Sequence, residues 1–83
     1  MQQAIMVVKI SERKENSIKV QETLSEFGCA IKTRLGLHEA GDRCSSEGLL
    51  VLQLCGEKKD FEGLDTALNE IDGVKAKLVD FDE

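Results

Sequence analysis

Between residues 30 and 56 the chain reads AIKTRLGLHEAGDRCSSEGLLVLQLCG, a pattern of strand, long polar loop and strand. The run 49–55 is nearly all apolar, as expected of an interior strand covered on both faces. Residues 31–39 alternate apolar and polar, the pattern of an edge strand with one face toward the core. Residues 40–47 between them exceed what a tight hairpin needs.

Upstream, residues 3–10 (QAIMVVKI) are apolar on both faces and predict a central strand. Ser11 is placed to cap a helix over 14–27, which sets Val20, Thr23, Leu24 and Phe27 on one face. Ile18 falls off that stripe, as an isolated exposed side chain or as part of a subunit contact. Gly28 is expected to end the helix with φ > 0. A second helix starts in the acidic stretch 57–60 and carries a clean stripe of Phe61, Leu64, Ala67, Leu68 and Ile71. Gly63 within it implies a close approach, with the sheet as the expected neighbour. Asp72-Gly73 stops that helix, and residues 74–81 form the last strand with Val74, Ala76 and Leu78 inward.

The order β-α-β-β-α-β contains two echoing halves, each a βαβ unit. Right-handed crossovers put both helices on one face of the sheet. Interleaving the halves predicts an α+β, ferredoxin-like, four-stranded antiparallel sheet of order 4-1-3-2, one domain over residues 1–83. With Leu50, Leu52 and Leu54 toward the helices, alternation assigns Met6, Val8, Leu49, Val51, Val79 and Phe81 to the bare face. Arg34, Gly36 and His38 are expected beside them. A bare apolar face implies a second subunit packed sheet to sheet, hence a homo-oligomer.

Composition narrows the function. With 41% hydrophobic and 33% charged residues the chain is globular. At 83 residues it buries only roughly 60–65% of its unfolded surface, so its core is thin. The formal net charge of −5 opposes direct nucleic-acid binding, and three Phe with no Tyr or Trp give no stacking platform for bases. Lys32 and Arg34 share a face, as do Lys75 and Lys77; both pairs read as charged sheet edges that resist aggregation. No apolar run is long enough to span a membrane, and the start MQQAIMVVKI lacks the features of a signal peptide. Three Cys without a CxxC pair then predict reduced thiols and a cytoplasmic location.

Candidate chemistry is sparse. His38 and Cys44 are the possible metal pair, with Glu39, Asp42 or a partner subunit to complete the shell of a zinc, nickel or copper ion. Two ligands alone do not make a site, and the plainer reading is a surface histidine and a loop thiol. No second histidine accompanies Cys44, so a catalytic thiol is not expected. Cys29 and Cys55 border core elements and read as buried structural thiols. No catalytic set and no cofactor are expected.

With Arg34-Leu35-Gly36-Leu37 on the second strand, Gly48-Leu49-Leu50-Val51-Leu52 following it and Gly73-Val74 entering the last, the chain resembles the iron-only hydrogenase system regulators. These are small ACT-like domains, and the resemblance covers nearly the whole chain in element order and length. It implies a non-enzymatic, oligomeric regulatory or sensor module of that hydrogenase system, acting on an unspecified protein or small-molecule effector. It carries Arg34 and Gly36 over as matching residues, with His38 beside them as a ligand-binding candidate. Ordinary ACT domains are similar in topology but bind amino acids beside a glycine after the first strand, where this chain has Ser11-Glu12-Arg13-Lys14. The metal-binding domain of nickel-responsive repressors is also similar. There a His-x-His on the second strand precedes a Cys; this chain keeps His38 and Cys44 but has Gly36 in the first position.

Overall fold

The computed structural model describes residues 2–11, 13–37 and 48–81. Strand β1 (Gln2–Ile10) leads to helix α1 (Arg13–Glu26), a 3-10 turn (Gly28–Ala30) and strand β2 (Ile31–Leu37). Strand β3 (Gly48–Gly56), helix α2 (Lys58–Asn69) and strand β4 (Val74–Asp80) follow. The polar loop expected over 40–47 lies outside the described residues. All strand pairs are antiparallel and the sheet order is β2-β3-β1-β4, the 4-1-3-2 arrangement read from the other edge. β1 and β3 are therefore interior, and β2 and β4 are edges.

One sheet face carries the core. Ala4, Met6, Val8 and Ile10 of β1 and Leu52 and Leu54 of β3 are buried against Val20 and Leu24 of α1 and Phe61, Leu64 and Leu68 of α2. Each fully buried large apolar side chain contributes roughly 1.5–3 kcal/mol. Val74 and Ala76 are buried and Leu78 packs against the cluster, as the alternation in β4 predicts. Ile18 is 68% exposed, in keeping with its place off the α1 stripe.

The register corrects the face assignment of Met6 and Val8. Residues directly opposite in an antiparallel ladder share a face. Met6 pairs with Leu52 and Val8 with Leu50, so both join the leucines under the helices. The bare face receives Ile5, Val7 and Lys9 of β1 instead. Arg34 and Gly36 also change sides, because the pairing slips by one residue between Ile31 and Thr33. That bulge sets Arg34 opposite Leu52 and Gly36 opposite Leu50, on the helix side.

Glycines and turns bring further corrections. Gly28 is not among the described glycines with positive φ, which are Gly56 and Gly73; the chain leaves α1 through the 3-10 turn instead. Gly63 gives room to the Phe27 ring rather than to the sheet, since a Cβ there would lie 3.1 Å from Phe27 Cε1. Ser11 contributes backbone groups: its N–H donates to the Gly73 carbonyl at 2.7 Å, and its carbonyl accepts from Asn16 Nδ2 at 2.7 Å. Asn69 bonds Ala76 twice, accepting from its N–H at 2.8 Å and donating to its carbonyl at 3.1 Å. The α2 terminus thereby satisfies part of the β4 edge, which would otherwise offer a template for strand pairing.

Gly73 locks two turns together. Its φ is +83°, and a Cβ there would stand 2.7 Å from Asn16 Nδ2. Asn16 can withdraw only by giving up its bond to Ser11. A Gly73→Ala substitution should therefore lower stability by about 1–3 kcal/mol. That is a large share of the ~4–12 kcal/mol expected for a chain of this size. The urea unfolding midpoint measures it, and an unchanged midpoint would contradict this account of the turn.

Candidate functional site

Arg34 stands on the β2 edge with an exposed side chain, and its Nη2 donates to Oε1 of Gln21 on α1 at 2.7 Å. This bond ties the edge strand to the helix and uses one of five guanidinium N–H groups. The planar fork retains donors with the geometry to meet a carboxylate or phosphate. Gly36, two residues on, is also exposed. Neither space nor backbone requires glycine there: φ is not positive, and a Cβ would meet only Leu50 Cδ2 at 3.6 Å.

His38 and Cys44, with Glu39 and Asp42, lie outside the described residues. Among the described residues no group of three or more His, Cys, Asp or Glu is arranged to hold a metal ion. None of the described polar or charged residues is buried.

Two features escaped the sequence reading. The first is an open cavity of about 270 Å³ at one end of the sheet, lined by Glu26, Phe27, Cys29, Ala30, Cys55, Gly56 and Asp60. Cys29 is exposed and Cys55 half-buried, which corrects the expectation that both are buried structural thiols. The 3-10 turn, which helical and strand periodicities cannot reveal, is what brings Cys29 to the surface. The second is what accompanies Leu49, Val51 and Val79 on the bare sheet face, where the sequence already placed those three: Val7, Leu35 and a corner of lysines. Val7, Leu35, Leu49 and Val79 are 36%, 55%, 38% and 46% exposed, beside half-buried Ile5 and Val51. Lys9 stands directly opposite Lys75, and Lys77 opposite Val7, so three exposed lysines gather at one corner. Edge protection accounts for the two on β4; Lys9 sits on an interior strand.

No family model matches the chain, and no curated protein does. Solved structures do. The uncharacterized protein TM1266 of Thermotoga maritima is similar with a TM-score of 0.84 at 22% identity, over 96% of either chain. The regulatory subunit of aspartate kinase from Thermus flavus is similar with a TM-score of 0.66 at 19% identity. It is matched over 95% of this chain and 52% of its own. A protein of unknown function from Galdieria sulphuraria gives 0.58 at 13% identity, over 95% of this chain and 44% of that one.

The fold is ACT-like.

At these identities the likeness speaks for architecture alone. Within the ACT-like fold, the sequence-derived candidates Arg34 and Gly36 share the helix side of the β2 edge, away from the bare face on which they were expected. Gly36→Ala should leave stability within about 0.5 kcal/mol of the parent, or raise it slightly by restricting the unfolded chain. Thermal unfolding checks this; a loss above about 2 kcal/mol would mean that Gly36 has a structural role after all.

Proposed function

We propose that this chain is a non-enzymatic, ACT-like regulatory module that self-associates through the sheet face its helices leave bare. The observation that carries the reading is that face: exposed Val7, Leu35, Leu49 and Val79 around half-buried Val51, with no covering element among the described residues. The fold it shares with the aspartate kinase regulatory subunit supports a regulatory rather than a catalytic role. The resemblance of residues 34–37 to the iron-only hydrogenase system regulators supports a place in that system. In this reading Arg34 and Gly36 border an effector position at the α1–β2 edge, with His38 following on the chain.

Size sets the strength of the pairing. Four strands about 4.8 Å apart and some seven residues long present roughly 450 Å² per face, or about 900 Å² for a pair. That is below the ~1,200–2,000 Å² of a standard interface, so a concentration-dependent assembly is expected from this face alone.

Sedimentation equilibrium tests it. The wild type should populate dimers or larger species at about ten micromolar and above, and Val51→Lys should run as monomer or aggregate. A well-folded wild-type monomer at those concentrations would rule out the sheet-to-sheet assembly.

Metal content separates this module from a metal-binding protein that uses His38 and Cys44 at a subunit interface. Elemental analysis of protein purified without an affinity tag is expected to show no stoichiometric metal. Nickel, zinc or copper that disappears in both His38→Ala and Cys44→Ser, but persists in Cys29→Ser and Cys55→Ser, would replace the leading reading with the metal-binding one. Its affinity would then weaken as pH falls through the histidine pKa, because the ring must be neutral to ligate.

A further inference from the structure

We infer that Cys29 and Cys55 form a redox-active pair that closes to a disulfide when a small neutral oxidant enters the cavity they border. Both are thiols in this structure, and both line the opening between the α1 terminus, the 3-10 turn, the end of β3 and the start of α2.

The strand register explains why residues 26 positions apart in sequence come together. Ile31 pairs with Leu54, so the chain just before β2 runs beside the chain just after Leu54. Directly opposed residues of an antiparallel pair have Cα atoms roughly 4.5–5.5 Å apart. Disulfides span Cα separations of about 4.4–6.8 Å. Cys29 is one step from the position that would face Cys55, where strand alternation would turn it to the opposite face, so the 3-10 turn in which it lies has to bring the two sulfurs together. The turn also has room to adjust, since a Cβ on neighbouring Gly28 would meet nothing within 4 Å.

Accessibility and charge select the oxidant. Cys29 is the exposed member, so it is the first to react. Glu26 and Asp60 on the rim repel an anionic oxidant such as glutathione disulfide and admit an uncharged peroxide. The Cys29 sulfur then attacks one peroxide oxygen and the O–O bond breaks, leaving a sulfenic acid and one water. The Cys55 sulfur displaces the hydroxyl of that sulfenic acid, forming the S–S bond and releasing a second water. Two thiols supply two electrons, and hydrogen peroxide is reduced to two waters.

The experiment uses the full chain and its Cys44→Ser variant, treated with stoichiometric hydrogen peroxide in the presence of a chelator. Intact mass spectrometry and non-reducing peptide mapping should show loss of two hydrogens and one peptide joining Cys29 to Cys55. The link should form in both proteins and should lie within one chain, at monomer mass, at every protein concentration. Cys29→Ser should abolish it, as should Cys55→Ser, while circular dichroism verifies that each variant is folded. Peroxide treatment that stops at a stable sulfenic or sulfinic acid on Cys29 would overturn the inference. So would a link that runs through Cys44 or between chains.

Discussion

The pairing of β1 with β3 is the constraint on which the rest depends. It sets Ala4, Met6 and Val8 beside Leu54, Leu52 and Leu50 along one face, and the helices close over that face. An 83-residue chain has little apolar material, and most of its fully buried side chains serve this single layer. The two helices contribute unequally. α2 lays Phe61, Leu64 and Leu68 into the layer along one clean stripe. α1 commits chiefly Val20 and Leu24, and is further attached by the Gly63–Phe27 contact and the Gln21–Arg34 hydrogen bond.

One-sided cover has a chemical consequence. Apolar residues that β-propensity and strand packing call for on β1, β3 and β4 are left on the open face, beside three lysines and with no carboxylate among its described strand residues. Opposed like charges such as Lys9 and Lys75 cost stability in a sheet. They also constrain how two such faces can meet, because an approach that superimposes the lysine corners would be repulsive. Two such faces brought together would have an attractive apolar centre and an orientation that the opposed lysines disfavour.

Much of the architecture was legible in the sequence, because it follows from local periodicity. The stripe from Phe61 to Ile71, the alternation in β4 and the interior character of residues 49–55 each specify an element. The order of elements then leaves few topologies once crossovers must be right-handed. The lack of a Cys-x-x-Cys pair, of Tyr and Trp, and of a net basic charge was equally plain.

Tertiary structure decided what periodicity leaves open. A strand apolar on both faces, such as β1, has no preferred phase, so only its register with β3 could put Met6 and Val8 inside. A single-residue slip between Ile31 and Thr33 reversed the facing of Arg34 and Gly36, and nothing in Ile31-Lys32-Thr33 announces it. The meeting of Cys29 and Cys55 at one cavity likewise depends on a long-range pairing that no local pattern encodes. Sequence by itself determined which elements form and in what order, because those are local properties of side chains. Which residues face each other was settled only when the strands paired, because register is a property of two segments at once.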